Sequence, residues 1–258
     1  MEGKIIQIIK KPVPVVFAAL LLLAGYQSCR YNATSDFTPT SDVGAGGSMA
    51  RFAIANNHLF TVDQSTLKIF DISTPETPDF KSTRYIGFGV ETISPLDNKL
   101  FLGASTGMYI YDVSNPVQPE KISFYEHIVS CDPVVSDGNY AYVTLNSSNQ
   151  VCWQSANELQ IISLQNIRSP ELAGQYPMDS PRGLAIQKDT LWVCDNGIKV
   201  YDVSNRQDIV RLYHFDDIEA YDVILNNGLA LVIGERGFVQ YKLENDTIRK
   251  LSEINLEL

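Results

Sequence analysis

Residues 108–119 read MYIYDVSNPVQP, an apolar stretch that runs into Asp112 and then into a turn of Ser, Asn and Pro. Alternating apolar residues favour a β-strand, and Asp, Ser, Asn and Pro favour the turn that ends it. The pattern returns at positions 71, 163, 202 and 242, counted at the residue that matches Asp112. The copies are LKIFDISTP (67–75), LQIISLQN (159–166), IKVYDVSN (198–205) and FVQYKLEN (238–245). A period of about 40 residues indicates a repeat architecture.

Each copy follows a tight turn and a short apolar strand. The turns are Asn56-Asn57, Asp97-Asn98, Asp137-Gly138, Lys188-Asp189 and Asn226-Asn227-Gly228. Asn, Asp and Gly tolerate the positive φ that such hairpin turns need. With one strand before the turn and one after the loop that ends the repeat, every unit holds four antiparallel strands. That arrangement is typical of a β-propeller blade.

We therefore predict an all-β fold, a five-bladed β-propeller of four-stranded antiparallel blades over residues 49–258. The predicted repeats span residues 49–87, 88–127, 128–178, 179–217 and 218–258. Four or six blades are the alternatives if one end is misjudged. A linear β-solenoid is the structural rival, but its coils are usually shorter, and an open stack would expose the sheet edges that a closed ring hides.

The segments at 67–75 and 108–119 resemble the LVIVD repeat of bacterial surface proteins. Further stretches are similar to exported members of that family in Bacteroidetes-type bacteria: SCDPVV (130–135) with AYVTL (141–145), and LWVCD (191–195) before IKVYD (198–202). The third and fifth units depart from the pattern, because Ser163 and Lys242 replace the usual Asp. The resemblance implies a β-propeller and an exported location, and it brings no chemistry with it.

The first residues of the chain have the features of a secretory signal. Lysines are followed by the apolar run VPVVFAALLLLAG (13–25) and then by Ser28 and Cys29. A membrane-spanning helix would need about 20 apolar residues, so this shorter run fits the core of a signal peptide. Cys29 resembles the acylated residue of bacterial lipoproteins, although Tyr26 stands where the strict motif prefers Leu.

We predict a signal peptide (1–28), lipidation of Cys29 and a flexible tether (29–48). The protein is then exported and held at the outer membrane, on its periplasmic or surface face. Simple secretion and an uncleaved anchor are the alternatives. The net charge of −10, from 30 acidic and 20 basic residues, argues against a nucleic-acid partner and against a polybasic membrane contact. The lipid is thus the only expected membrane contact, and a monomer is expected.

The cysteines suggest one disulfide and one buried thiol. Cys131 and Cys152 fall in the longest unit, the second of them in an insertion (146–157). In an oxidising compartment two thiols in one blade are expected to pair. Cys194 lies in an apolar strand and is expected to be a buried free thiol.

Asp71, Asp112 and Asp202 recur once per unit, so they should lie far apart. An Asp at this place is expected to accept hydrogen bonds from the following turn rather than to bind a metal ion. The three histidines show no zinc-type spacing, and no hydrolase or phosphate-loop motif is present. We predict no metal site and no cofactor.

Propellers commonly bind ligands at the mouth of the central channel. Aligning the units places six charged or aromatic residues where the inner strands begin: Arg51, Glu91, Asp132, Arg182, Tyr221 and Asp222. Opposed charges there either clamp a polar ligand or neutralise one another. Trp153 offers a second candidate surface, because an aromatic side chain on a loop can stack on a sugar or anchor a protein partner.

These features favour a non-enzymatic binding or scaffold module that recognises a protein or a glycan at the cell envelope. The alternative is a carbohydrate-active hydrolase or lyase that uses Glu91 and Asp132 as paired carboxylates. No residue is assigned a catalytic role.

Overall fold

The structure, a computed structural model of the 258-residue chain, describes residues 46–127, 133–147, 157–244 and 247–256. These residues form 18 β-strands in four antiparallel sheets, which confirms the all-β prediction. None of them belongs to a helix of the length and hydrophobicity that a membrane crossing requires.

One sheet has six strands and the other three have four strands each. The six-stranded sheet contains β1 (Phe52–Ala55), β2 (His58–Asp71), β3 (Asp79–Leu96), β4 (Lys99–Ala104), β5 (Gly107–Asp112) and β6 (Glu120–Glu126). The second contains β7 (Val134–Ser136), β8 (Tyr140–Leu145), β9 (Glu158–Ser163) and β10 (Glu171–Pro177). The third contains β11 (Pro181–Gln187), β12 (Thr190–Asp195), β13 (Ile198–Asp202) and β14 (Val210–Phe215). The last contains β15 (Ala220–Asn226), β16 (Leu229–Gly234), β17 (Gly237–Glu244) and β18 (Thr247–Asn255).

The six-stranded sheet has two parts. β2 pairs with β1 through residues 58–61 and with β3 through residues 64–71. β3 then pairs with β4 through residues 90–96. We call β1, β2 and residues 79–85 of β3 the first half of this sheet, and residues 90–96 of β3 with β4, β5 and β6 the second half.

The sheets have two ends that differ in their loops. The upper end is the one at which β1, β7, β11 and β15 begin, and it carries the turn at 196–197, the turn at 235–236 and the linker at 216–219. The lower end carries the Asn, Asp and Gly turns that the sequence predicts. Those turns are confirmed, since Asn57 and Asp97 have φ angles of 57° and 50° between paired strands.

The repeated aspartates also lie at the lower end and act as predicted. The carboxylate oxygens of Asp71, Asp112 and Asp202 accept hydrogen bonds from the backbone N–H two residues later, at 2.9, 2.7 and 2.8 Å. Each aspartate thereby closes the turn that ends its strand. Their place once per repeat reflects this shared structural role.

Four buried apolar clusters hold the described sheets together, and each joins two neighbours in chain order. The clusters lie between the two halves of the six-stranded sheet, between its second half and β7–β10, between β7–β10 and β11–β14, and between β11–β14 and β15–β18. β4, β8 and β12 lie inside this series and have five consecutive buried residues each. Both faces of these strands are therefore covered.

The two outermost faces of the series are only partly covered. Leu59 in β2 is partly exposed, whereas Leu100 and Leu191, at the same repeat position in β4 and β12, are fully buried. Phe52 in β1 and Ile254 in β18 are 55% and 61% exposed. Within the described ranges, no buried cluster contains residues of both the first half and the β15–β18 sheet. The repeat predicts a closed ring of equivalent interfaces. Among the described residues, the junction between the first half and the β15–β18 sheet differs from the other four because no buried apolar cluster is shared across it.

A short segment ahead of β1 bridges this junction. Ser48 Oγ and the Met49 N–H donate hydrogen bonds to the Asp222 carboxylate in β15, at 3.0 and 3.2 Å. Ser48 Oγ also accepts a 2.8 Å hydrogen bond from the Leu184 N–H in β11, and the Ala50 carbonyl accepts one from β3. Ser48 is 2% exposed, so the packed domain begins before the end of the predicted tether.

The unequal junction predicts unequal effects of one substitution at one repeat position. Leu100→Ala and Leu191→Ala each remove a fully buried side chain and should lower the free energy of unfolding by about 2 to 5 kcal/mol. Leu59→Ala, on the partly covered face, should cost roughly half of that or less. Chemical denaturation of the three variants measures the difference. An equal loss for Leu59→Ala would show that this face is covered in solution.

The aspartate turns predict a pH dependence. Hydrogen bonds from Ser73, with a smaller contribution from Lys81, lower the pKa of Asp71 from 3.8 to about 2. A carboxylate with a lowered pKa stabilises the fold above its ordinary pKa, and this contribution is lost as the pH falls through the folded value. Asp71→Ala should therefore melt a few degrees below the wild type at pH 7, and the difference should vanish as the pH approaches 2. Thermal unfolding measures this, with Glu76→Ala as the control, and a difference that persists at low pH would contradict it.

Candidate functional site

The structure describes five of the six residues predicted at the channel mouth, and Asp132 lies outside the described ranges. Arg51 is exposed just before β1, and Glu91 is half-buried in β3. Arg182 and Tyr221 meet where β11 and β15 begin, at the upper end of the last two sheets, and Asp222 follows in β15 with its carboxylate bound to Ser48 and Met49.

Four further residues with predicted roles also lie outside the described ranges. They are Cys29, Cys131, Cys152 and Trp153. The lipidation, the disulfide and the aromatic loop surface thus stay predictions. Cys194 is described, and it is a free, fully buried thiol, as the sequence predicts. Burial raises its pKa well above the ordinary value.

Arg182 in β11 is held by two groups of the β15–β18 sheet and its linker. Its guanidinium carbon lies 4.6 Å from the centroid of the Tyr221 ring, and its Nη2 atom lies 3.2 Å from Oε1 of Glu219. The side chains of Arg182 and Glu219 are 32% and 56% exposed, so this ion pair adds little to stability. Its effect is geometric, since the aromatic ring and the carboxylate together fix the plane of the guanidinium.

Asp222 follows Tyr221, but its carboxylate contacts the segment ahead of β1 and not the Arg182 side chain. The strand register shifts between Ala220 and Asp222, and the carboxylate is turned toward the segment ahead of β1. Burial raises the pKa of Asp222, against the effect of the hydrogen bonds that it accepts. A Cβ atom on Gly47 or Gly183 would collide with this carboxylate, so both positions need glycine. Asp222 therefore fixes the fold at the junction.

A cleft with a volume of about 450 Å³ lies beside Arg182, between the upper ends of the last two sheets. We call it the junction cleft. Most of its lining groups are polar, and the apolar ones come from the linker and the start of β15. Its lining residues are Ser180, Arg182, Asn196, Gly197, Asp216, Ile218, Glu219 and Ala220.

A second cleft, of about 550 Å³, continues from the first across the upper end of the β15–β18 sheet. We call it the edge cleft, and it shares Asp216, Ile218 and Glu219 with the junction cleft. Its remaining lining comes from Asp217, Glu235, Arg236, Gly237, Phe238, Val239, Glu253, Asn255 and Leu256. The excess of carboxylates gives this end of the molecule a negative potential.

Two of those carboxylates, from Asp217 and Glu253, bind Lys250 of the sheet. Lys250 Nζ lies 2.7 Å from both Asp217 Oδ2 and Glu253 Oε2. The Tyr241 hydroxyl donates a 3.3 Å hydrogen bond to Asp217. Lys250 lowers the pKa of Asp217, so this carboxyl is ionised at neutral pH. The group fastens the linker at 216–219 to the sheet below it.

A buried ion pair stiffens the other wall of the junction cleft. Lys199 Nζ lies 2.7 Å from the fully buried carboxylate of Asp195 and 2.6 Å from that of Asp179. Asp195 also accepts a 2.6 Å hydrogen bond from the Ser180 N–H. Removing Lys199 would leave the buried carboxylate of Asp195 without its counter-ion, which is strongly unfavourable. The linker before β11 is thus anchored to β12 and β13.

Glu219, Asp216 and this ion pair were not predicted from the sequence. Glu219 and Asp216 lie in the linker between two repeats, where aligned positions give no signal. Asp195 and Lys199 flank the turn at 196–197, and their spacing of four residues across a hairpin was the available signal for a pair.

Two histidines contact backbone carbonyl oxygens of turn residues. His58 Nδ1 lies 2.7 Å from the Asn56 carbonyl oxygen, and His214 Nε2 lies 2.8 Å from the Asn196 carbonyl oxygen. Among the described residues, no three His, Cys, Asp or Glu side chains are grouped closely enough to hold a metal ion.

Comparison with known proteins identifies one repeat and the fold. The LVIVD repeat model matches residues 46–84. No curated protein matches the chain. A protein from Lactobacillus plantarum is similar in structure, with a TM-score of 0.62 and 13% identity over 78% of this chain and 69% of that chain.

Two other solved structures are similar at the same level. A functionally unknown protein from Desulfotomaculum acetoxidans DSM 771 gives a TM-score of 0.60 at 11% identity, over 83% of this chain and 69% of that one. AztD from Citrobacter koseri, in its apo form, gives 0.57 at 12% identity, over 84% of this chain and 62% of that one. At this identity the likeness shows the fold alone. The face-to-face sheets, the repeat and these similar structures together identify the chain as a β-propeller with an LVIVD repeat at residues 46–84.

Proposed function

We propose that the chain is a lipid-anchored binding module of the bacterial cell envelope, a five-bladed propeller that recognises its ligand through its upper end. The observation that carries the proposal is the junction cleft. Neighbouring elements hold its lining residues in place, and the Tyr221 ring orients its Arg182 side chain.

The count of five blades is supported by the strand pairing. The first half of the six-stranded sheet has four antiparallel segments, because β2 supplies two of them. The second half and the three smaller sheets have four strands each. The four buried clusters lie at the interfaces between the same five units, and each unit corresponds to one sequence repeat.

Ligand binding at the upper end is supported by the shape and chemistry of the clefts. Their volumes of about 450 and 550 Å³ fall in the range of small-ligand sites. Arg182 and Ser180 are held by contacts with neighbouring elements, so a ligand meets groups that are already oriented. The lower end instead uses its repeated polar residues to close turns.

A bulky side chain in the linker tests this assignment. Asp216 is exposed and lines both clefts, so Asp216→Trp should obstruct the part that they share without disturbing the core. We expect the variant to lose retention of envelope ligands, protein or glycan, by about tenfold in affinity or more. Asp208→Trp, exposed at the lower end, is the matched control and should bind as the wild type does.

Affinity measurements on the immobilised full chain, with thermal unfolding to confirm that both variants are folded, provide the readout. Equal binding by wild type and a folded Asp216→Trp would remove the clefts as the recognition site.

The proposed anchor has a test of its own. In a host that processes lipoproteins, the wild-type chain should partition with the membrane fraction and carry an acylated N-terminus at Cys29. Cys29→Ser should lose the acyl group, and Ser35→Ala in the same segment should keep it. Fractionation and mass spectrometry of the native N-terminus measure both points. A wild-type N-terminus that carries no acyl group at Cys29 would contradict lipidation.

A further inference from the structure

We propose that the junction cleft recognises an uncharged sugar unit of a glycan through hydrogen bonds from the Arg182–Glu219 pair. This inference rests on the proposed function and names the chemical class of its ligand. Arg182 and Glu219 are the recognising groups, and Tyr221 is a positioning residue that holds Arg182.

The pair offers donors and acceptors side by side. A guanidinium carries five N–H donors, and the ion pair with Glu219 joins the Nη2 atom to one carboxylate oxygen. The remaining donors of Arg182 and the second oxygen of Glu219 lie at a surface where both side chains are partly exposed. Neighbouring hydroxyl groups of a sugar both donate and accept, so they match such a pair.

The charge of the pair selects against ionic ligands. Glu219 already neutralises Arg182, so an anionic ligand would have to displace a carboxylate, and a cationic ligand would compete with the guanidinium. Asp216 adds a negative charge to the cleft and disfavours anions further. An uncharged polyhydroxyl ligand can bind both members without breaking the ion pair.

The lining also favours a sugar over a protein partner. Ile218 and Ala220 are the apolar members of the lining, and Ala220 is buried. Protein interfaces are centred on aromatic or large apolar anchors and cover about 800 Å² per partner. A cleft of about 450 Å³ with mainly polar walls suits a small polar unit at the end or side of a longer chain.

The walls are fixed before any ligand arrives. The Arg182 carbonyl accepts a 2.6 Å hydrogen bond from Thr144 Oγ1 in the neighbouring sheet. The Tyr221 ring supports the guanidinium from one face, while the Asp195–Lys199 pair holds the segment that carries Ser180. A fixed site loses less conformational entropy on binding than a mobile one, which compensates for the small number of contacts.

The test uses the purified full chain and hexasaccharides of matched length. The panel contains uncharged hexasaccharides built from hexoses or pentoses, an anionic hexagalacturonate and a cationic hexaglucosamine. Titration calorimetry measures the affinities. At least one uncharged hexasaccharide should bind, and the anionic one should bind at least about tenfold more weakly. The cationic one, which the negative potential of this end attracts at low salt, should bind at least about tenfold more weakly than the uncharged ligand at about 1 M salt. Raising the salt from about 0.1 M to about 1 M should change the affinity for the uncharged ligand little, because no net charge is paired on binding.

Three variants assign the residues. Arg182→Lys loses the planar fork and should weaken binding by about tenfold or more. Arg168→Lys, exposed at the lower end, is its control and should bind normally. Tyr221→Ala should weaken binding, and Tyr221→Phe should restore it, because Phe keeps the ring that supports Arg182. Loss of binding in both Tyr221 variants would assign the hydroxyl, not the ring, and would overturn the positioning role.

The sugar inference and the proposed function fail differently. If Asp216→Trp abolishes capture of an envelope protein and no uncharged hexasaccharide binds, the cleft is a protein site. The sugar inference is then overturned, and the proposed function stands. Binding only to the charged hexasaccharides, or binding that the higher salt abolishes, overturns it as well. If no envelope ligand of any class is retained, the proposed function falls and the sugar inference falls with it.

Discussion

Each sheet of this chain has two apolar faces, and each face is stable only when another sheet covers it. This constraint orders the whole molecule. Phe101, at 1% exposure, packs forward against the next sheet, while Leu100 beside it packs backward against the previous one. A four-stranded unit of about 40 residues buries too little surface to be stable alone. Consecutive repeats therefore stabilise each other in series, and the partly covered faces at Leu59 and Ile254 mark the ends of that series.

Face-to-face packing also positions the candidate site. When two sheets stack, their strand ends meet at one side, and the linker between them must cross that side. The linker at 216–219 does this above β15, and it brings Glu219 to Arg182 of the sheet before. The junction cleft is thus a consequence of how one blade is connected to the next. Its chemistry combines Arg182 of β11 with linker residues such as Glu219, and the repeat leaves linker residues free to differ from unit to unit.

The sequence predicts what recurs and misses what occurs once. The aspartate turns at Asp71, Asp112 and Asp202 have a local cause, a carboxylate beside the N–H groups of its own turn, so spacing was sufficient to predict them. Arg182 and Tyr221 were placed together because strand starts align across repeats. Asp222 was grouped with them, but a register shift turns it toward Ser48, more than 170 residues away in sequence. Contacts across that distance leave no periodic signal. The sequence did not predict the partly covered faces either, because the apolar residues of β2 resemble those of the covered strands.

The most direct test of this account is native-state hydrogen exchange, resolved by strand. If sheets are stabilised by being covered on both faces, the amides of β8 and β12 should exchange only through global unfolding, while those of β1 and β18 should exchange much faster through local opening. Uniform protection across all four strands would show that the first and last sheets are covered like the others, and it would contradict the series of sheets with one unequal junction.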